Sequence, residues 1–586
     1  MTPTTTPTEL TRPTLSNALP RGGALRTIGR GSLDRIGVIH VLRVAGSDYD
    51  MGYQHGVLLA EEIRRGPIPY YRRMLDKLLG KGALGAISPI VLGGLQATIG
   101  RRVSRRIPPF ALDVLHGVAD GAGIERSVFL EGCTMPDSMM WVVSRLMQLK
   151  GDGPAVAHRI ALELGCTSAV AWGGATKDGE LLHARNFDYH GVSCWPSTKT
   201  VIFHEPDEGH RYVSVAAAGV ALGGITAMND QGLSLTVHQH MFTDRVRLGG
   251  VPIGIVGDLV MREASSLDEA EAILRAHTPI GCWTYVVTDA RAREVLCFEE
   301  SPDRQAARRV RVDEETFGYA NIYLDETLGR TEVDLYGSYW RHNAGRHRAV
   351  RERLSERHGS LDPQGMAEIL GDTGHSDCRV RDSIAMVMTV ASVVFRPIDG
   401  TVWVGTGEAP TSHGTFVPFR IASAGYEPTL DFLEVGAETP QSERAAFERF
   451  RRTYVSYVDD GSLDRALEEI GHACDLAPGQ PLYHALRGLL SLNAVRADDA
   501  EDALDRAIAL GHPDPERVAS FHLWRGRARD VQGRREDAVT DYRAALGRKS
   551  DPPVRRAAIR SLRRPYRAAD AARVHVDVGL ADVVQP

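Results

Sequence analysis

The sequence predicts an α+β fold, in which a four-layer αββα sandwich is followed by an all-α region of helical repeats. Two observations lead to this prediction. Between residues 166 and 425, apolar and polar residues alternate in many short runs that helix-like segments interrupt, which is typical of antiparallel strands flanked by helices. Beyond residue 442 the alternation ends, and helix-length segments recur at intervals of 35 to 37 residues.

Changes in composition divide the chain into six predicted segments. The first is rich in Thr, Pro, Gly and Arg and too poor in apolar residues to order itself. The second combines a short strand at 36–43 with helical stretches at 54–79 and 109–122. The predicted boundaries are 1–34 for the disordered segment, 35–165 for the strand and helices, 166–425 for the sandwich core, 426–442 for a linker, 443–550 for the repeats and 551–586 for a helical tail.

The helical repeats are marked by pairs of apolar residues. Ala466-Leu467, Ala503-Leu504 and Ala538-Val539 are separated by 37 and 35 residues, and Pro478 and Pro513 by 35. Intervals near 34 residues with helix-turn-helix content are typical of tetratricopeptide repeats, and about three units suffice for a stable array. We therefore expect a tetratricopeptide-like domain that offers a surface to a protein partner or to a second copy, with an irregular helical appendage as the alternative.

Composition argues against several classes of protein. The 586 residues carry a net charge of −6 with 25% charged residues, which does not suggest nucleic-acid binding. No run of about eighteen apolar residues predicts a membrane span. The seven cysteines are widely spaced and include no Cys-x-x-Cys pair, which favours a reducing compartment over a disulfide scaffold. Because residues 1–7 also lack the features of a secretory signal, we expect a cytoplasmic protein.

The most informative motif is Gly165-Cys166-Thr167, followed nineteen to twenty-two residues later by Arg185-Asn186-Phe187-Asp188. The intervening residues predict two short strands around a turn at Lys177-Asp178-Gly179, so that Arg185 and Asp188 return to within about 10 Å of Cys166. The tripeptide also occurs at Gly132-Cys133-Thr134, where the neighbours are helix-like and no hairpin follows. The second copy alone therefore has the surroundings of a reactive cysteine.

A cysteine that attacks a carbonyl group needs a base nearby and surroundings that favour the thiolate. A new α-amino group on Cys166, with an ordinary pKa of about 7.7 to 8.0, would supply the base without a histidine. The glycine before Cys166 and the charged groups of the second motif fit a cysteine that acts after its own amide bond has been cut. The motif thus suggests an enzyme made as a precursor.

The segments Leu164-Gly-Cys-Thr-Ser168 and Ala184-Arg-Asn-Phe-Asp188 resemble the signature of the isopenicillin N acyltransferase-like family. Relatives of that family include penicillin V acylases and bile salt hydrolases, and all are N-terminal nucleophile (Ntn) hydrolases. The resemblance extends upstream to residues 46–56 and downstream to residues 390–397, and so covers residues 35–420. It implies an Ntn-hydrolase sandwich for 166–425, with 35–165 as a propeptide or small chain.

The resemblance implies a catalytic set around the first motif. The chain would cleave itself between Gly165 and Cys166, and Cys166 would then act as the nucleophile through its free amine. Arg185 would favour the ionised thiol, and Asp188 would hold the new α-amino group.

The oxyanion side of the implied site comes from distant parts of the chain. Asn321 matches an asparagine that stabilises the tetrahedral oxyanion, and Arg346 matches a late arginine of the polar network. His238 stands where the family has a second oxyanion asparagine, so its ring or backbone amides would have to donate instead. Asn343 replaces a serine of the family. The remaining predicted substrate or oxyanion residues are Thr167 and Asn186.

The predicted reaction consists of two acyl transfers. In the precursor, the Cys166 thiol attacks the Gly165 carbonyl group, and water resolves the thioester. The mature enzyme then cleaves or forms an amide bond on a small acylated molecule, an amide or thioester, through an acyl-enzyme on Cys166. Water and an amine are both possible acceptors, so hydrolysis and acyl transfer remain open. No cofactor is expected.

Other interpretations of the same residues remain open at this point. A scaffold that binds partners through the helical repeats would keep the sandwich in a degenerate form, and the departure at His238 favours it. A metal-dependent hydrolase would use His238 and His240, which share one face of a strand, but a clear third ligand is lacking. The seven arginines between residues 555 and 573 predict a solvated face, with an anionic ligand or partner as the alternative.

Overall fold

The computed structural model shows a protein of mixed α and β structure, which confirms the predicted α+β class. It describes residues 24–70, 73, 93–94, 96–148, 165–240, 243, 245–333, 337–373, 383–435, 440–583 and 586, with the backbone alone at 96 and 337–341. Among the helices in these ranges, none is both long and apolar enough to cross a membrane.

The strands of the described residues are short, as their alternating sequence pattern predicts. In chain order they are β1 (Arg26–Ile28), β2 (Gly31–Ile36), β3 (Ile39–Gly46), β4 (Gly165–Ala171), β5 (Leu182–Asp188), β6 (Lys199–Pro206), β7 (Tyr212–Ala217), β8 (Thr226–Asn229), β9 (Leu233–Gln239), β10 (Trp283–Asp289), β11 (Glu294–Ser301), β12 (Arg304–Val310), β13 (Thr316–Ala320), β14 (Thr389–Arg396), β15 (Thr401–Gly405), β16 (Thr415–Arg420), β17 (Gly425–Tyr426), β18 (Leu433–Glu434), β19 (Val576–Asp577) and β20 (Asp582–Val583).

These strands form two large sheets and one small hairpin. The first sheet has ten strands in the order β1-β2-β3-β6-β7-β8-β9-β10-β11-β12. The second has eight, in the order β13-β4-β5-β14-β15-β16-β17, with β18 also paired to β16. Strand β3 runs parallel to β6, whereas β4 is antiparallel to both of its neighbours. The segment that begins with Gly165 and Cys166 therefore lies inside the second sheet, next to its β13 edge.

The two sheets share an apolar layer, and helices cover their other faces. Successive residues of a strand point to opposite faces. In β3, Val41 packs between the sheets, and its neighbour Leu42 packs against helix Pro109–Ala122. In β14, Val393 packs between the sheets, and Val394 packs with the long helix after β13. Each sheet thus buries both of its faces, which holds the inner strands in place.

The helices separate into those that cover the sheets and those that follow them in the chain. The first group is Asp48–Leu58, Ala60–Arg65, Arg101–Ser104, Pro109–Ala122, Arg126–Met147, Cys194–Ser197, Ile255–Glu263, Leu267–Ala276, Glu326–Gly329, Gly337–Glu356 and Pro363–Leu370. The second group is Gln441–Tyr454, Leu463–Leu476, Pro481–Asn493, Ala497–Leu510, Pro515–Val531, Arg535–Leu546, Pro552–Arg563 and Ala568–Ala571, with a π-helical turn at Val455–Asp459.

Residues 24–34 are ordered, which differs from the sequence prediction. Residues 24–34 belong to the segment expected to be disordered, yet β1 and most of β2 lie there. β1 pairs with β2 and β2 with β3, so hydrogen bonds to the large sheet and burial of Leu33 order this segment. The strand predicted at 36–43 is interrupted at Gly37, whose φ of 58° belongs to the turn between β2 and β3.

The predicted linker and helical tail both contain strands. β18 falls within 426–442 and pairs with β16, so part of this segment belongs to the second sheet. β19 and β20 form a hairpin within 551–586, which was expected to be helical. Strands of two residues are too short to produce an alternating pattern in the sequence.

The C-terminal helices pack directly on the sheets and their helices. The carboxylate of Asp459 accepts a hydrogen bond from Tyr70 Oη at 2.6 Å and another from Ser193 Oγ at 2.9 Å. Nearby, Tyr454 Oη and His190 Nδ1 are 3.0 Å apart. Asp459 thus joins the helical region to two segments that lie on opposite sides of Cys166 in the chain.

Candidate active site

The predicted hairpin is present, and its register brings the two motifs together. β4 and β5 are antiparallel, with Gly165 opposite Asp188 and Cys166 opposite Phe187. Since the pairing continues with Ser168 opposite Arg185, both charged residues of the second motif lie beside the first. The hairpin therefore needs no distant element to assemble a cysteine, a cation and a carboxylate.

Arg185 is in contact with the thiol. Its Nη2 lies 3.3 Å from Cys166 Sγ and donates to the Val237 carbonyl oxygen at 2.7 Å, while Nη1 donates to the Ile225 carbonyl oxygen at 2.7 Å. Both side chains are buried. Burial raises the pKa of the Cys166 thiol, and the positive charge of Arg185 offsets only part of this effect. Arg185 therefore acts in favour of the ionised thiol, but its charge does not cancel the effect of burial.

Asp188 lies against Gly165 and keeps one oxygen without a hydrogen bond. Oδ1 accepts from Thr389 Oγ1 at 2.6 Å, whereas the buried Oδ2 has no hydrogen-bond partner among the described residues. A methyl group on residue 165 would lie 2.8 Å from that Oδ2. Glycine at this position therefore leaves space for the carboxylate. Burial raises the pKa of Asp188, and Arg346, whose Nη1 is 4.0 Å from Oδ2, opposes that rise.

Asn321 and Arg346 hold the main chain of Cys166. Asn321 directly follows β13, the other neighbour of β4. Its Oδ1 accepts a hydrogen bond from the Cys166 N–H at 2.6 Å, and its Nδ2 donates to the Gln239 carbonyl oxygen at 2.9 Å. Arg346 donates to the Cys166 carbonyl oxygen at 2.8 Å and to Asn321 Oδ1 at 3.0 Å. Asn343, in place of the family's serine, accepts from Arg346 Nη2 at 2.8 Å.

The structure does not place His238 at the thiol. On β9, Val237 and Gln239 line the cavity beside Cys166, and His238 points to the other face of the strand. Its Nε2 lies 2.9 Å from Ser168 Oγ, and burial holds the pKa of the ring well below its usual range, so the ring is neutral. The residue of β9 that carries an amide on the cavity side is therefore Gln239.

Thr167 and Asn186, the other two predicted substrate or oxyanion residues, form hydrogen bonds within the protein. Thr167 Oγ1 accepts from Arg346 Nη1 at 2.9 Å and so orients that guanidinium group. Asn186 donates to the Leu370 carbonyl oxygen at 2.8 Å and accepts from Ser392 Oγ at 2.8 Å. Neither side chain lines the cavity beside Cys166. Both residues therefore differ from the prediction, because adjacent positions of a strand point to opposite faces.

The second histidine of β9 is also bound to other groups. His240 Nδ1 lies 2.8 Å from Glu332 Oε1, and its Nε2 lies 2.9 Å from Thr284 Oγ1. In the part of the chain that the structure describes, no group of three or more His, Cys, Asp or Glu side chains is arranged to hold a metal ion.

Cys166 and Asp188 border an apolar cavity of about 140 Å³. Gly132 and Cys133 of helix Arg126–Met147 lie on its wall, so both copies of the Gly-Cys-Thr tripeptide meet at one cavity. An apolar cavity of about 150 Å³ holds a benzene-sized group. The larger apolar side chains of the wall include Ile107, Leu115, Phe187, Trp195, Val237 and Trp283.

Sequence reasoning missed three residues of this site. Thr389, which binds Asp188, lies opposite it in the β5–β14 ladder. It directly precedes the 390–397 segment that carries the family resemblance, so the resemblance was the available signal. Gln239 could have been found from the alternation along β9, but Cys133 could not, because its place on the cavity depends on how a distant helix packs.

Comparison with known proteins supports the resemblance. Residues 175–409 match the model of the family described as acyl-coenzyme A:6-aminopenicillanic acid acyl-transferase. The match includes Arg185, Asp188, Asn321 and Arg346 and begins nine residues after Cys166.

A curated relative from Archaeoglobus fulgidus, described as an uncharacterized protein, is 25% identical over 272 residues. The alignment covers 46% of this chain and 45% of the relative, so the chain matches less than half of that protein's length. Residues 175–409 are therefore similar to the acyl-coenzyme A:6-aminopenicillanic acid acyl-transferase family, which agrees with the resemblance inferred from the sequence.

Proposed function

We propose that this protein is a cysteine Ntn amidohydrolase or acyltransferase, built on the four-layer αββα sandwich of that class, which activates itself by cleavage between Gly165 and Cys166. The observation that carries this proposal is the meeting of three groups at one peptide bond. The Cys166 thiol contacts a guanidinium group, the Cys166 N–H is held by Asn321, and an oxygen of Asp188 that accepts no hydrogen bond from the described residues lies against Gly165.

In the proposed maturation, Cys166 Sγ attacks the Gly165 carbonyl carbon and forms a tetrahedral intermediate. The C–N bond then breaks, the thiol proton passes to the departing nitrogen, and Gly165 is left as a thioester on Cys166. Water hydrolyses this thioester, giving a carboxylate on Gly165 and restoring the thiol. The new amine supplies hydrogen-bond donors to Asp188 Oδ2, a buried oxygen that accepts no hydrogen bond from the described residues, which is otherwise costly.

In the mature enzyme, the same thiol attacks the carbonyl carbon of an amide or thioester substrate, with the Cys166 α-amine as the base. The apolar wall and the volume of about 140 Å³ favour an apolar acyl group about the size of a hexanoyl or phenylacetyl group. Asn321 Nδ2 binds the Gln239 carbonyl oxygen and would have to share that bond with a substrate oxyanion. The Gln239 side chain offers a second amide at the same wall.

The rate of self-cleavage is expected to rise with pH between about 6 and 9. Burial raises the pKa of the Cys166 thiol, so the reactive thiolate is scarce at neutral pH and its fraction grows as pH increases. After maturation the α-amine acts as a base only when it is neutral, which shifts activity in the same direction. Fragment formation followed at fixed ionic strength across this range measures the effect; a rate that is flat or that falls with pH would contradict it.

The test of the proposed function is to trap the acyl-enzyme. We expect that brief incubation with a hexanoyl thioester, followed by acid quenching and mass spectrometry, places one hexanoyl group on the fragment that begins at Cys166. Cys133→Ala is the matched control, because this thiol borders the same cavity and burial raises its pKa to about 12. The control should still be acylated, and Cys166→Ala should not. Acylation that survives in Cys166→Ala, or none in the wild type, would refute the proposal.

We propose that the C-terminal helices form a tetratricopeptide-like array of three helix pairs. The first helices of the pairs carry the repeated alanines Ala466, Ala503 and Ala538, all buried. Each second helix begins with a proline, at Pro481, Pro515 and Pro552, a residue favoured in the first turn of a helix. This array would serve a protein partner or self-association, and we place the protein in the cytoplasm because its widely spaced cysteines suit a reducing compartment.

A further inference from the structure

A second cavity, remote in sequence from Cys166, lies among the C-terminal helices. It has a volume of about 340 Å³ and is bordered by helices Pro515–Val531 and Pro552–Arg563 and by the segment that follows them. Its polar lining contains four guanidinium groups, from Arg527, Arg560, Arg564 and Arg573, together with Asp570 and His575.

The charge on this lining is unbalanced. Against four arginines, the described side chains of the lining offer the single carboxylate of Asp570, which leaves three positive charges in excess. Arg560 Nη2 donates to the carbonyl oxygen of Pro586 at 3.1 Å, and a terminal carboxylate on that residue would still leave an excess of two. The side chains of Arg564 and Arg573 are exposed and make no ion pair within the described residues.

Arg527 is the most unusual member of the set. It is 5% exposed, and its Nε is buried without a hydrogen-bond partner in the described part of the chain. Its guanidinium carbon lies 4.4 Å from the ring centre of Trp524 and 4.5 Å from that of Tyr566, so two aromatic faces fix its orientation. Burial lowers the pKa of Arg527, as expected for a charge that lacks a close counter-ion.

Other arginines of the same helix and of the next helix, Arg535–Leu546, lie close to carboxylates. Arg525 Nε lies 3.0 Å from Asp541 Oδ2, Arg529 Nε lies 2.7 Å from Glu501 Oε1, and Arg535 Nη1 lies 3.0 Å from Asp530 Oδ2. The same helical region therefore supplies carboxylates to these three arginines. Arg527 instead combines burial, a fixed orientation and a place on the wall of a cavity.

We propose that this cavity binds a phosphate-bearing small molecule with at least two negative charges. Guanidinium groups bind phosphate oxygens through paired N–H donors, and several arginines converging on one cavity are typical of such recognition. A single carboxylate would leave most of the positive excess uncompensated, whereas a pyrophosphate group would neutralise it. The site is separate from Cys166 and does not depend on the proposed acyl transfer.

Isothermal titration of the full-length protein with pyrophosphate tests this proposal. We expect one site per chain and at least about tenfold weaker binding in Arg564→Gln/Arg573→Gln, since each lost ion pair of this kind is worth about a factor of ten. The control Arg556→Gln/Arg563→Gln removes the same charge from exposed positions of helix Pro552–Arg563 that do not line the cavity, and it should bind like the wild type.

Two further titrations identify the ligand class. Inorganic phosphate should compete with pyrophosphate, and citrate, a polycarboxylate of similar charge, should bind at least about tenfold more weakly if phosphate geometry matters. Equal binding of citrate, equal losses in both double variants, or the absence of pyrophosphate binding to the wild type would each overturn the proposal. Because all substituted arginines are exposed, unchanged melting temperatures are expected and distinguish lost binding from lost folding.

Discussion

Replacing Arg185 with methionine is expected to lower the rate of self-cleavage by about 100-fold or more. The substitution removes the cation that touches Cys166 Sγ and takes one donor from each of the buried carbonyl oxygens of Ile225 and Val237. Loss of the charge raises the thiol pKa further, and each tenfold loss of thiolate corresponds to about 1.4 kcal/mol. The rate of alkylation of Cys166 by iodoacetamide as a function of pH measures this change independently of the reaction.

Lysine at the same position separates charge from hydrogen bonding. Arg185→Lys retains the positive charge but cannot donate from a planar fork to the thiol and to two carbonyl groups. We therefore expect its alkylation profile to shift less than that of the methionine variant, while self-cleavage stays slow. The exposed Arg330→Met serves as the surface control. Wild-type cleavage in a folded Arg185→Met variant would show that this cation has no part in the reaction.

Asn321→Ala is expected to slow self-cleavage by about 10²- to 10³-fold, which is the usual cost of losing one positioned polar group at a reacting carbonyl. The substitution removes the acceptor that fixes the Cys166 N–H and one of the contacts that hold Arg346. It also frees the Gln239 carbonyl oxygen. The half-time of conversion from one chain to two, measured after purification at low pH, reports the effect.

Asn343→Ala provides the matched control for this prediction. Asn343 binds Arg346 and the Asn321 carbonyl oxygen but does not touch Cys166. Its removal should therefore slow cleavage much less than the removal of Asn321. Similar rates for the two variants would show that the effect comes from the stability of the network, and not from contact with the scissile peptide.

The sequence predicts those residues of the site that a single local element, the β4–β5 hairpin, brings together. One hairpin brings Cys166, Arg185 and Asp188 together, and its turn and alternating pattern are visible in a single stretch of chain. Asn321 and Arg346 required the family resemblance, because strand order and helix packing place them. The α+β class was likewise predictable, from the alternation before residue 425 and the helix-length segments after residue 442.

The predictions for Asn186 and His238 differ from the structure for one physical reason, the alternation of side chains between the two faces of a strand. Residue types at 186 and 238 suggested contact with the substrate, but the register turns Asn186 towards Ser392 and His238 towards Ser168. A shift of one position along a strand moves a side chain to the other face. By the same rule, Gln239 lies on the cavity side of β9. The rule can be applied only when the register of the strand is known.

The arginines of the C-terminal segment show the limit of charge patterning. The sequence gives seven arginines in nineteen residues, which is the usual composition of a solvated helix face. It does not show that Arg527, from an earlier helix, meets three of them across a cavity. That arrangement arises from tertiary packing, so an anion site could not be distinguished from a solvated surface in advance.

A substitution of Gly165 provides a second test of self-cleavage between Gly165 and Cys166. A side chain there would meet Asp188 Oδ2 at 2.8 Å, so Gly165→Ala should cleave more slowly than the wild type. Gly471→Ala is the matched control, since a methyl group at that position of helix Leu463–Leu476 meets no other atom within 4 Å. The control should mature normally.

The intact masses of the purified wild type and of Cys166→Ala test the account most directly. We predict two chains for the wild type, one ending at Gly165 and one beginning at Cys166. Cys166→Ala should remain a single chain, because the alanine methyl group cannot attack the Gly165 carbonyl group. A wild-type protein that stays intact under conditions where it is folded, or an alanine variant that is cut at the same bond, would contradict self-cleavage by Cys166.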